Sequence, residues 1–103
     1  MEVVAARDAA ATDRILRSLP TWFGIEDALR ASVQRRSIAE ASFVARVDGQ
    51  VVGVALVERA SPETAELSLI AVHADHRGGG IGRALLDAAA TWAGFAGASL
   101  LEV

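Results

Sequence analysis

The sequence predicts an α/β domain in which an antiparallel meander is followed by one helical crossover, in the order β-α-α-β-β-β-α-β. Three observations predict it. The length of 103 residues suits one domain and leaves no room for two. Three strand-length apolar runs follow one another between residues 41 and 72, separated only by turn residues. Runs with helical periodicity precede and follow that block, and a last apolar run closes the chain.

Met1 to Ala6 is apolar and short, and predicts the first strand. Asp8 is placed to cap a helix whose apolar face runs Ala11, Ile15, Leu16, Leu19, and Pro20 stops it. After Thr21-Trp22-Phe23-Gly24 a second helix is predicted from Ile25 to about Arg36. Its Glu26 and Asp27 lie in the first turn and Arg35 and Arg36 in the last, matching the helix dipole at both ends. Ala41 to Val47 predicts a strand. Asp48-Gly49 supplies the two positive-φ residues of a type I′ turn, and Val51 to Arg59 returns as the partner strand. Ser61-Pro62-Glu63 turns the chain again. Thr64 to Val72 then predicts a third strand, with Glu66, Ser68, Ile70 and Val72 on one face and Leu67, Leu69 and Ala71 on the other. A glycine-rich turn, His73 to Gly82, leads into a helix with Ile81, Leu85, Ala88, Trp92 and Phe95 on one stripe. Gly94 and Gly97 end it, and Ala98 to Val103 predicts the final strand.

Composition narrows the function classes. With 52% hydrophobic residues, a chain of this size buries roughly two-thirds of its unfolded surface, enough for a modest core. The absence of Cys excludes a disulfide scaffold, a thiolate zinc site and thiol catalysis. A net charge of −3 is the wrong sign for a nucleic-acid binder. No run reaches the ~20 apolar residues of a membrane helix, and residues 1–14 have no signal-peptide pattern. The expectation is a cytoplasmic domain. All ten basic residues are Arg, with no Lys, Tyr or Asn, and Ala occurs 22 times, the mark of a GC-rich coding bias. No lysine nucleophile, phenolic acid or Asn amide is therefore on offer.

The chemistry concentrates in the glycine-rich turn. Four Gly in five positions, between a strand and a helix N-terminus, make an anion site. Unpaired N–H groups point outward there, and Arg77 and Arg83 flank the loop. A plain flexible turn is the simpler alternative, and the strand-turn-helix setting favours the site. The nucleotide P-loop requires a Lys that this chain lacks. The dinucleotide fingerprint fails in both frames, because Arg83 or Leu85 stands where its last Gly belongs. His73 and His76 are too few for a metal site, and no third ligand is indicated. Trp22 and Phe23 form an aromatic pair able to pack on the core, and Arg35-Arg36 reads as a solvated helix end.

Arg77-Gly-Gly-Gly80-Ile-Gly82 satisfies Arg/Gln-x-x-Gly-x-Gly/Ala, after the strand ending Ile70-Ala71-Val72 and before Arg83-Ala84-Leu85-Leu86. In this motif, its element order and its Asp48-Gly49 hairpin, the sequence resembles the GNAT superfamily of acetyl-CoA-dependent N-acetyltransferases. The resemblance implies a GNAT-like α/β fold over residues 1–103 as one domain, a mixed and mostly antiparallel sheet flanked by helices. It also implies transfer of an acetyl group from acetyl-CoA to a primary amine, on a small molecule or peptide, with no metal. By the resemblance, Arg77, Gly78, Gly79, Gly80, Ile81, Gly82 and Arg83 hold the pyrophosphate of coenzyme A. Ile70, Ala71 and Val72 pair through their backbone with its pantetheine arm. By the same resemblance Trp22 and Phe23 line an acceptor pocket, with packing on the core as the alternative. Glu66, six residues before Val72, corresponds to a carboxylate that takes a proton from the amine; the alternative is an ordinary solvent-facing strand residue.

The family core continues beyond the strand corresponding to Ala98–Val103 with a further helix and two strands. That region carries an Asn near coenzyme A and a Tyr that protonates the leaving thiolate. This sequence holds neither residue type, so the general-acid role falls on no residue. The expectation is a fold lacking its C-terminal part, with a fragment of a longer enzyme favoured. The alternatives are completion by a partner subunit, as a homodimer exchanging the C-terminal strand, and an inactive acyl-CoA-binding or protein-interaction domain. In each case Ser99–Val103 would be an apolar edge, for which self-association is the expected consequence.

Overall fold

The computed structural model describes residues 1–19 and 39–101. The predicted helix over 25–36, together with Trp22, Phe23, Arg35 and Arg36, lies outside the described residues. A five-stranded sheet runs in the order β1 (Glu2–Ala5), β2 (Ala41–Val47), β3 (Gln50–Ser61), β4 (Thr64–Val72), β5 (Ser99–Leu101). Neighbours are antiparallel through β4, and β4 pairs parallel with β5, as one crossover demands. Helix α1 spans Ala9–Arg17 and α2 spans Ile81–Phe95. Among the described residues no helix is long and apolar enough to cross a membrane.

Helix α1 starts where Asp8 accepts a hydrogen bond from the Ala11 N–H at 2.9 Å. Its Ala11, Ile15 and Leu16 pack with Val44, Val51, Val54 and Ala71 on one face of the sheet. Helix α2 covers the other face with Ile81, Leu85, Ala89 and Ala93 against Phe43, Ala45, Val52, Ala55, Val57, Ala65 and Leu67. Strand β3 is consequently buried on both sides from Val51 to Val57. That explains a run too apolar to alternate. Asp48 and Gly49 adopt φ of 53° and 80°, the expected hairpin turn.

Two expectations require correction. Alternation along β4 breaks, because Leu56 pairs with Leu69 while Val57 pairs with Leu67. Ser68 is thus an extra residue, a bulge whose hydroxyl donates to the Leu56 carbonyl at 3.2 Å. Before it, Ala65 and Leu67 face α2; after it, Leu69 and Ala71 face α1. Glu66 therefore shares a face with Leu69 and Ala71, not with Ile70 and Val72. On α2 the buried stripe is Ile81, Leu85, Ala89, Ala93, while Ala88 and Trp92 are only partly covered and Phe95 is 90% exposed. Small Ala side chains let the helix settle close to the sheet, which turns the aromatic residues to the flank and outside.

Gly53 is what seats α2. A Cβ built there would lie 2.9 Å from both Ile81 Cγ2 and Leu85 Cδ1. At the far end of the helix, Arg59 closes the layer. Its guanidinium donates to both Glu40 carboxylate oxygens (2.9 and 3.1 Å), to the Pro62 carbonyl (3.1 Å) and to the Ala96 carbonyl (3.2 Å). It also lies 5.7 Å from the Trp92 ring centroid. The hydrogen bonds from Arg59 hold the Glu40 carboxyl below the ordinary carboxylate range.

Gly53→Val should overpack the α2 seat and destabilise the domain by about 1–3 kcal/mol, measured as a lower urea midpoint. Because the Glu40 pKa is depressed on folding, its contribution is present above the unfolded-state value and disappears as pH falls through the folded one. Glu40→Gln should accordingly melt below the wild type at neutral pH, with the two converging once Glu40 is protonated. A gap of unchanged size in acid would mean that the Arg59 pair is not its source.

Candidate functional site

The end of β4, the turn after it and the first turn of α2 converge. Val72 is followed by His73, whose N–H donates to the Val52 carbonyl at 2.8 Å, and by a 3-10 turn over Ala74–His76. Arg77 then leaves in an extended conformation. Gly78 and Gly80 both take left-handed φ, 83° and 81°, which an L side chain adopts only with strain. Gly80 is the N-cap of α2 and gives it no side-chain cap, and no acidic residue stands in the first turn. The first helical bond runs from the Ala84 N–H to the Gly80 carbonyl at 3.0 Å. Ile81, Gly82 and Arg83 thus precede the first N–H that the helix itself satisfies.

Space matters as much as direction. A Cβ at Gly78 or Gly80 would meet nothing within 4 Å, and one at Gly79 only the His76 carbonyl at 3.8 Å. Gly79 has neither a positive φ nor a close neighbour, so the fold itself does not require a glycine there. At Gly82 a Cβ would approach Val72 Cγ2 at 3.8 Å, which places the first turn of α2 directly beside the end of β4. The result is an open backbone cradle with a helix N-terminus as its floor, a fit for a phosphate-bearing group. Arg83 stands at the rim, paired with Asp87 at 3.3 Å, and its side chain is 79% exposed.

On β4, Ile70, Ala71 and Val72 pair with Ala55, Val54 and Gly53 of β3. Ala71 is buried, Val72 is half-buried and Ile70 is 40% exposed, an uncovered apolar side chain beside the cradle. Glu66 sits further back on the strand, half-buried and opposite Glu58 of β3 in register. The sequence reading missed Glu58. Its signal was available in the hairpin pairing, which sets β3 against β4. His73 Nδ1 accepts the Asp75 N–H at 3.1 Å, within the turn itself. Among the described residues no group of three or more His, Cys, Asp or Glu is placed to hold a metal ion.

A glycine cradle between a bulged antiparallel strand and a helix N-terminus is a geometry able to receive a phosphate-bearing group. Residues 10–103 match the acetyltransferase (GNAT) family, and the chain belongs to it. The chain is 30% identical to a ribosomal-protein-alanine N-acetyltransferase from Brucella melitensis biovar Abortus 2308. That match covers 99% of this chain and 79% of the other, with a TM-score of 0.70. It is 26% identical to an IAA acetyltransferase from Bacillus cereus ATCC 14579, covering 93% of this chain and 61% of that one, with a TM-score of 0.67. A GNAT family acetyltransferase from Elizabethkingia anophelis, solved with acetyl-CoA bound, shares the fold. It shows 19% identity, 98% and 63% coverage of the two chains, and a TM-score of 0.72. No curated protein matches the chain.

The two kinds of glycine should respond differently to substitution. Gly80→Ala forces a Cβ into a left-handed conformation and should lower stability by about 1–2 kcal/mol. Gly79→Ala should leave the melting temperature within error of the wild type, which thermal denaturation of both variants will check.

Proposed function

We propose that this chain transfers an acetyl group from acetyl-CoA to a primary amine. One observation carries the reading: the uncapped N-terminus of α2, with open space over Gly78, Gly79 and Gly80, lies against the end of β4. When bound, acetyl-CoA supplies an activated thioester carbonyl. The N–H groups of Ile81, Gly82 and Arg83 hold its pyrophosphate, aided by the helix dipole, with Arg77 and Arg83 adding positive charge. The outer backbone edge of Ile70, Ala71 and Val72 receives the pantetheine arm as a further strand would be received, and the exposed Ile70 side chain covers apolar atoms beside it.

Glu66 provides the proton acceptor. An ammonium has no lone pair to attack with, so a carboxylate within reach directly or through one water raises the reactive fraction. Glu58 stands opposite it in register on the neighbouring strand. The similarity to a ribosomal-protein-alanine N-acetyltransferase supports an amine acceptor, with a peptide and a small molecule both compatible.

Thiol release from acetyl-CoA with a panel of amines, measured beside calorimetric binding of coenzyme A, tests the proposal. The wild type should bind and turn over, and Gly80→Glu should abolish binding by placing a carboxylate in the cradle. Glu66→Gln should bind coenzyme A normally yet lose roughly 100-fold in kcat, with the deficit narrowing as rising pH deprotonates the amine in solution. Binding without turnover by the wild type would select a non-catalytic acyl-CoA-binding domain instead.

A further inference from the structure

Three N–H groups begin the turn that precedes the glycine cradle, and each has one partner. The Asp75 N–H donates to His73 Nδ1 and the His76 N–H to the His73 carbonyl, both within the turn. The Ala74 N–H donates instead to the Ser18 hydroxyl, 3.0 Å away and 56 residues earlier in the chain. Ser18 is the C-cap residue of α1. Its hydroxyl proton is committed to the Ile15 carbonyl at 2.6 Å, so an oxygen lone pair is left fixed in direction toward Ala74. A backbone N–H at the start of a turn requires a partner, and here α1 supplies it.

From these contacts we infer that Ser18 is a positioning residue for coenzyme A, anchoring the turn from which Arg77 and the cradle glycines set out. The inference rests on the proposed function. It adds to that reading a residue on the opposite face of the sheet that the glycine motif does not contain. The contacts of Ser18 are to the Ile15 carbonyl and the Ala74 N–H. Ser18 acts by fixing the direction in which the backbone enters Gly78, so its loss weakens the cradle without altering the chemistry at the thioester. A single neutral hydrogen bond of this kind corresponds to a roughly 3- to 10-fold change in affinity.

The test measures coenzyme A binding by calorimetry in the full chain. It adds KM for acetyl-CoA, kcat, and amide exchange at Ala74. Ser18→Ala should raise Kd and KM for the cofactor about 3- to 10-fold, leave kcat and the acceptor KM unchanged, and accelerate Ala74 exchange. Ser18→Thr, which keeps the hydroxyl, should restore both constants. Asp8→Ala serves as control, since it weakens α1 from its other end without touching Ala74. Equal loss of cofactor affinity in Asp8→Ala and Ser18→Ala would overturn the inference, as would wild-type affinity in Ser18→Ala. If the wild type binds no coenzyme A, or Gly80→Glu binds as well as the wild type, the proposed function falls and takes this inference with it. If Gly80→Glu abolishes binding while Ser18→Ala binds normally, this inference falls alone.

Discussion

Helix α2 lies where it does because β3 has no side chain at Gly53. Ile81 and Leu85 both approach to within 2.9 Å of where a Cβ would stand, so the first two turns of the helix rest almost on the strand backbone. The cradle depends on that seat. The first turn of α2 presents its N–H groups beside Val72 only if Ile81 is held down, and Gly53 pairs with Val72 in the same ladder. The residue that receives the helix and the residue that lines the site are therefore cross-strand neighbours. At the other end, Arg59 ties the Ala96 carbonyl to the β3–β4 turn and to Glu40. The two contacts fix the helix at both ends and so define its tilt against the sheet.

Where local rules were sufficient, the sequence was legible. The bounds of β2 and β4 agree with expectation, and Asp48-Gly49 makes the turn its chemistry dictates. The family motif was legible too, because glycine is the residue that both the left-handed turn and the open cradle require. What stayed hidden depends on tertiary contact. The Ser68 bulge leaves no trace in composition, since Ala65-Glu66-Leu67-Ser68-Leu69 alternates perfectly as a string. Only pairing with β3 shows that one residue is extra. The outward turn of Phe95 follows from the small residues Ala89 and Ala93, which let the helix roll toward its alanine face. Gly53 itself was a readable signal, because glycine inside a strand marks a close backbone approach.

The candidate site divides in the same way. The cradle glycines and Ile70, Ala71 and Val72 come together through chain continuity and one strand-to-helix contact, so a linear motif finds them. Glu58 and Ser18 join the neighbourhood from other elements, through register in one case and a side-chain hydrogen bond in the other. No spacing rule connects Ser18 to Ala74. The link exists because the C-terminal end of α1 reaches the turn after β4 from its own face of the sheet, where Leu16 and Ala71 already pack in one cluster.

The alanine-rich contact between α2 and the sheet has a further consequence. Ala89 and Ala93 meet Ala41, Ala45, Ala55 and Ala65, side chains with no rotamers to lose. Ordering this part of the contact therefore costs little side-chain entropy, while Phe43, Leu67, Ile81 and Leu85 supply the bulk of the rest. A helix seated this way holds the glycine-rich turn at its head against the end of β4.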